Sequence, residues 1–168
     1  MPARQVLLFP HPTLKKPARP LGPGQRAEAE RVATDLLDTM ASQPGCVGLA
    51  APQLDELVRL VVVDVSGHKK ARTSNGLLVL VDPEVVHESG AEVAREGCLS
   101  IPKLTADVRR ATEIELRAHT PAGDPVELAS EGFEARCLLH EIDHLDGLLF
   151  LDRVDSLATD VFRRKRRG

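Results

Sequence analysis

Apolar residues recur at helical spacing in one stretch near the N-terminus. They fall at i, i+3, i+4, i+7, i+8 and i+11: Ala29, Val32, Ala33, Leu36, Leu37 and Met40. This stripe predicts an amphipathic helix that begins after Gly24 and ends at 42–45, where Pro and Gly follow. Before it, prolines recur at positions 10, 12, 17, 20 and 23. They predict an extended arm that wraps around the protein, because proline disrupts helices.

Short β-branched runs at 57–65 and 77–81, separated by a polar loop, predict two strands. Further strands are expected at 84–94 and 112–119, a helix at 132–145 and a short C-terminal helix at 156–167. This order shows no alternation of strand and helix. It predicts an α+β fold, with small antiparallel or mixed β-sheets around the 132–145 helix and a single domain over residues 1–168.

Composition narrows the class of protein. Apolar residues make up 42% of the chain and aromatic residues only 2%, so we expect an aliphatic core. No apolar run approaches the roughly 20 residues that a membrane-spanning helix needs. The N-terminus lacks the pattern of a signal peptide. Three cysteines without framework spacing argue against disulfides. We therefore expect a soluble, cytosolic protein with no membrane partner.

The charge is uneven along the chain. Residues 163–167 are Arg-Arg-Lys-Arg-Arg, five of the 22 basic residues, whereas the chain contains 25 acidic ones. This basic tail is either a solvated helix end, favoured by the helix dipole, or a segment that contacts a partner.

The most informative motif is His140-Glu141-Ile142-Asp143-His144. Residues four apart lie on one face of a helix, so both imidazoles can point at a single metal. Glu141 then lies near enough to take a proton from water at the metal without ligating it. The motif predicts a metal hydrolase.

The third metal ligand is not evident from this helix. No His or Glu follows His144, which weakens the hypothesis of a metallopeptidase, whose third ligand usually lies downstream. Upstream, Cys98 lies in a polar turn, and a thiolate with two imidazoles would leave one open position for catalysis. Taken alone, Cys46, Cys98 and Cys137 are each better explained by core packing than by metal ligation.

Three motifs in this order resemble those of peptide deformylases. They are Gly48-Leu49-Ala50-Ala51-Pro52-Gln53, Glu96-Gly97-Cys98-Leu99-Ser100 and the His140–His144 motif. Residues 8–12 and 149–153 also resemble the family, so the similarity covers nearly the whole chain.

The resemblance implies removal of the formyl group from N-formylmethionine of nascent bacterial polypeptides. It also implies a location in the bacterial cytoplasm and no DNA partner. It implies that Cys98, His140 and His144 bind one divalent metal, Fe²⁺ in the cell, with Zn²⁺, Ni²⁺ or Co²⁺ as replacements. Glu141 would be the general acid and base, and the Leu99 backbone amide and the Gln53 side chain would form the oxyanion hole. Substrate contacts are expected from Val47, Gly48, Gly97, Phe133 and Cys137. In related enzymes the C-terminal segment contacts the ribosome near the exit tunnel, a role open to the basic tail.

The chain departs from the family pattern at three positions. Cys46 stands where a glycine is usual, Leu139 where glutamine precedes the metal motif, and Thr105 where relatives carry a substrate-contacting loop. Loss of a polar group beside a metal ligand can cost 10–100-fold in affinity or activity. A catalytically weak, ribosome-associated relative is therefore the alternative to an active enzyme.

Other polar residues have alternative roles in or outside the site. Glu96 and Arg110 could pair to hold the Cys98 loop. Asp143 could hydrogen-bond a metal ligand, or it could have a surface or capping role. The remaining histidines, His68 among them, are expected to be solvated.

Overall fold

The computed structural model describes residues 3–164. It contains two α-helices, α1 (Arg26–Ser42) and α2 (Gly132–Leu145), which agree with the two main helices predicted from periodicity. Short 3-10 helices span Pro12–Lys15, Ala51–Leu54 and Phe150–Arg153. No helix in the described part of the chain combines the length and the apolar character needed to cross a bilayer.

Within residues 3–164, eight strands form two antiparallel sheets. They are β1 (Gly48–Ala50), β2 (Leu60–Val63), β3 (Leu78–Ser89), β4 (Glu92–Cys98), β5 (Ile101–Arg110), β6 (Glu113–His119), β7 (Pro125–Glu131) and β8 (Val161–Arg163). One sheet has the order β1-β2-β3-β6-β7 and the other β4-β5-β8. The α+β prediction is confirmed.

The strand boundaries differ from the prediction in the middle of the chain. The runs at 77–81 and 84–94 were expected to be separate strands, but β3 continues from Leu78 to Ser89. Asp82 adopts a left-handed φ of 51°, and the pairing with β6 shifts register between Val81 and Glu84. A bulge therefore accommodates the polar interruption at 82–83. The chain turns at Gly90, so 92–94 belong to β4.

The prediction of a C-terminal helix at 156–167 is wrong within the described residues. Val161–Arg163 form β8, which pairs with Leu104–Ala106 on the edge of β5. A helix this short is marginal without tertiary packing, and pairing with an open sheet edge satisfies the backbone instead. Residues 165–167 of the basic tail lie outside the described residues.

The core is aliphatic and lies in three clusters. One lies between α2 and the five-stranded sheet, one between α1 and strands β1 and β2, and the third surrounds Cys98 and Phe150. Twelve of the 14 residues of α2 are buried, including its charged residues. Such a helix needs partners for its polar side chains inside the protein.

The N-terminal arm begins at Leu7, before the prolines, and its proline-rich part is extended apart from a 3-10 turn, as predicted. It runs beside the functional motifs. The Leu7 amide donates to the Gln53 carbonyl at 2.7 Å, the Phe9 amide to Ser100 at 2.8 Å and the Ala18 amide to Leu145 at 2.8 Å. The arm thus connects the segments that carry the three motifs.

Candidate active site

The two histidines of α2 lie side by side and are buried. His144 is 1% exposed and His140 9% exposed, with ring centroids 5.3 Å apart. Burial lowers the pKa of His144 well below its usual range, so this imidazole is neutral, as metal ligation requires.

Cys98 belongs to the three-stranded sheet, and its thiol lies beside these imidazoles. It ends β4, at a turn through Leu99 and Ser100 that leads into β5. Its Sγ lies 3.5 Å from His144 Nε2, and ligand atoms of Cys98, His140 and His144 all lie within 4.8 Å of one another. One sulfur and two nitrogens suit zinc or iron and leave a coordination position open. The residues present therefore fit a catalytic divalent metal.

A buried ionic network orients His140. Its Nδ1 lies 2.8 Å from Glu96 Oε1. Glu96 also accepts hydrogen bonds from Arg110 at 2.7 and 3.0 Å and from Arg136 at 2.7 Å. Burial alone would raise the pKa of Glu96, but hydrogen bonds from His140 and Arg110 outweigh it and hold that pKa well below its usual range. Glu96 is therefore ionised. Because it contacts Nδ1 of His140, the other ring nitrogen, Nε2, is free for metal ligation.

The same network accounts for Asp143. It is buried and accepts hydrogen bonds from Arg110 at 2.7 Å and from Arg153 at 2.9 and 3.1 Å. Asp143 is thus neither a surface residue nor a direct partner of a histidine. The ion pair between Glu96 and Arg110, raised as a possibility from the sequence, is present.

Glu141 is held in the cleft with unused hydrogen-bonding capacity. Its Oε1 is buried and has no hydrogen-bond partner among residues 3–164. Burial raises its pKa to about 7. A Cβ atom at Gly48 would lie 2.8 Å from Glu141 Oε2, so a larger residue at that position of β1 would force the Glu141 carboxylate to move. An unpaired carboxylate of this pKa is suited to general acid–base chemistry.

Gln53 is fixed at both ends of its amide. Its Oε1 accepts from the Ala50 amide at 3.0 Å, and its Nε2 donates to Ser100 Oγ at 3.0 Å and towards Cys98 Sγ at 3.5 Å. Leu99 lies between Cys98 and Ser100 in the turn. A side-chain amide held this way is a preorganised donor.

A cleft of about 410 Å³ joins these groups. Every residue predicted for the site lines it except His144, which lies beneath: Val47, Gly48, Gln53, Gly97, Cys98, Leu99, Phe133, Cys137, His140 and Glu141. His68, expected to be solvated, also lines the cleft and stacks on Phe133 with ring centroids 4.5 Å apart.

The three departures from the family pattern lie in different surroundings. Cys46 lines the cleft, where its Sγ donates to the Gly48 carbonyl at 3.3 Å and burial raises its pKa to about 12. Leu139 is buried and lies outside the cleft lining, against a separate cavity beside Asp143. Thr105 pairs with Gly97 and with Phe162 of β8.

Arg136, Ser100 and Arg164 also belong to the site, although no site role was predicted for them. Arg136 lies four residues before His140 on α2, and this spacing alone indicates that the two side chains share one face of the helix. Arg164 reaches the cleft only because β8 pairs with β5.

Comparison with known proteins agrees with this geometry. The family model described as polypeptide deformylase matches residues 3–160. A peptide deformylase from Legionella pneumophila is 38% identical, with a TM-score of 0.81, and the match covers 92% of this chain and 88% of that one. One from Thermotoga maritima is 33% identical, also with a TM-score of 0.81, and covers 92% and 99%.

A third relative is similar over a comparable length. A peptide deformylase from Acinetobacter baumannii, solved with Met-Ala-Ser bound, is 31% identical with a TM-score of 0.83, covering 90% of this chain and 99% of its own. Matches of this extent and identity show that the chain belongs to the polypeptide deformylase family, which makes it a hydrolase.

Proposed function

We propose that this enzyme hydrolyses the formyl amide of N-terminal formylmethionine on nascent polypeptides, producing formate and a free amino terminus. The convergence of Cys98, His140 and His144 beside the unpaired carboxylate of Glu141 carries the proposal. The family match and the Met-Ala-Ser peptide bound to the Acinetobacter relative support it. Because formylated chains are made in the bacterial cytoplasm, we place the reaction there and assign it to one catalytic domain.

Cys98, His140 and His144 would hold the divalent metal, with Fe²⁺ the proposed ion and Zn²⁺, Ni²⁺ or Co²⁺ as substitutes. The ion supplies Lewis acidity and lowers the pKa of water at the site. A ferrous ion on a thiolate ligand should make the enzyme sensitive to oxygen.

Glu141 takes the proton from the attacking water and delivers it to the departing amine. Negative charge grows on the formyl oxygen, where the Gln53 amide and the Leu99 backbone N–H would donate. Losing one such donor typically costs about 3–4 kcal/mol of transition-state stabilisation. Val47, Phe133 and Cys137 would contact the methionine side chain, and Gly48 and Gly97, which line the same cleft, would contact the peptide backbone.

The test is an anaerobic assay of formate release from formyl-Met-Ala-Ser by the Fe²⁺-loaded protein. Glu141→Ala should lose nearly all activity and keep its metal, whereas Cys98→Ala should lose the metal itself. Arg117→Gln, at an exposed pair with Glu127, is the matched control and should match wild type. If the wild type releases formate with none of the four metals, the alternative of a catalytically weak, ribosome-associated relative is favoured instead.

The basic tail supplies a second proposal, docking to ribosomal RNA through phosphate contacts. Its support is the run of five basic residues at 163–167. A chain truncated after Arg164 keeps β8 and loses three of these charges. It should co-sediment with ribosomes more weakly than the full chain at low salt, and equal binding would rule the tail out.

A further inference from the structure

We propose that the mouth of the cleft is a cationic subsite that favours formylated peptides carrying Glu or Asp shortly after the methionine. The proposal rests on the function proposed above. Its starting point is the set of basic residues that line the cleft with Cys98 and Glu141: Lys69, Lys70, Arg95, Arg136 and Arg164.

The charges in this lining are unbalanced. Its carboxylates, Glu96 and Glu141, are both buried, and Glu96 already binds Arg136 at 2.7 Å. Arg95 pairs with Asp107 at 2.8 Å. Three exposed cations remain, Lys69, Lys70 and Arg164, and none has a carboxylate of residues 3–164 within ion-pair distance.

Strand pairing holds the backbone of Arg164 beside the cleft. Its backbone amide donates to the Lys103 carbonyl at 2.9 Å, which extends the pairing of β8 with β5. Phe162 of β8 packs under the guanidinium of Arg95, 3.9 Å from its ring centroid. The Arg164 guanidinium rests on Gly97, where any side chain would collide with it. A guanidinium binds a carboxylate bidentately, and its planar fork loses less entropy per hydrogen bond than a flexible ammonium group does.

The proposed subsite borders the path that we assign to the peptide. Gly97 directly precedes Cys98, so Arg164 is next to the metal ligands. Lys70 Nζ lies 6.0 Å from the ring centroid of Phe133, the proposed contact for methionine. A peptide with its formyl group at the metal and its methionine on Phe133 therefore continues past these cations, and an acidic side chain there gains partners that a neutral one lacks.

The experiment compares kcat/KM for formyl-Met tetrapeptides that carry Glu, Gln or Lys at the second, third or fourth position. We expect Glu to exceed Gln by about three- to tenfold at one position at least, the range for a few exposed ion pairs, with Lys below Gln. The preference should shrink towards unity as NaCl rises from about 20 mM to about 500 mM, because screening shortens the Debye length.

Variants assign the effect to these residues. Arg164→Gln and the double change Lys69→Gln with Lys70→Gln should each reduce the Glu-to-Gln ratio, and Arg164→Glu should favour the Lys peptides. Arg117→Gln should keep the wild-type ratio. If an Arg164 variant fails to fold, the ratios of wild type across the peptide series still decide the question.

The outcomes separate the two proposals. No formate from the Gln peptides overturns the proposed function. Formate release with a Glu-to-Gln ratio near one at every position overturns the acidic subsite alone. The acidic subsite would also be overturned if the Arg164 and lysine variants lost ribosome co-sedimentation while the Glu-to-Gln ratio stayed unchanged. That result would favour contact of these residues with RNA.

Discussion

Replacing Glu96 by Gln tests whether the buried ionic network orients the metal site. The change keeps the shape of the side chain and removes its charge. It turns one acceptor oxygen into an NH₂ group that must face donors on Arg110, Arg136 or His140. The side chains of Arg110 and Arg136 are only 4% and 9% exposed, so water cannot solvate the two arginines once the Glu96 charge is removed.

The expected loss of stability follows from these contacts. Breaking a buried ion pair by removing one partner typically costs about 3–5 kcal/mol. Arg110 retains Asp143 at 2.7 Å, and Arg136 retains the carbonyls of Val108 and Glu92 at 2.8 and 2.7 Å. We therefore expect the lower end of that range, about 3 kcal/mol. Metal affinity should also fall about 10–100-fold, because His140 loses the anion that orients it.

Urea unfolding of the metal-free protein measures the first effect. Circular dichroism is the suitable signal, since the chain has no Trp and no Tyr. Asp107→Asn, at the exposed pair with Arg95, is the control and should cost less than about 1 kcal/mol. Equal losses in the two variants, or a loss below about 1 kcal/mol for Glu96→Gln, would refute the reasoning. A competition titration with a chelator then measures metal affinity.

Three further predictions concern the cleft. Gly48→Ala places a methyl group 2.8 Å from Glu141 Oε2, so kcat should fall about 100-fold while the metal content stays unchanged. An unchanged kcat would argue against close packing of these two residues. Ser100→Ala frees the Gln53 amide and should lower kcat about three- to tenfold, the worth of one hydrogen bond, less than Gln53→Ala does. With its pKa raised to about 12 by burial, Cys46 should resist iodoacetamide at pH 8 in the native protein and react in urea, as measured by peptide mass spectrometry.

Local patterns predicted the parts of the structure that depend on local geometry. The spacing of Val32 and Leu36 identified α1, and the four-residue spacing of His140 and His144 placed both imidazoles on one face of α2. The prediction failed where pairing between distant segments decided the structure. Val161–Arg163 became a strand because β5 offered an open edge, and a bulge at Asp82 joined two predicted strands into β3.

The sequence by itself determined the helix that carries two of the three proposed metal ligands, the aliphatic nature of the core and, through its motifs, the family. Only the tertiary structure decided how Cys98 reaches His144 across 46 positions of sequence, how Glu96 joins Arg110 and Arg136 beside His140, and how Arg164 comes to lie on Gly97. The physical reason is that helical spacing follows from the backbone of one segment, whereas a charged network or a cleft rim requires several segments to pack together.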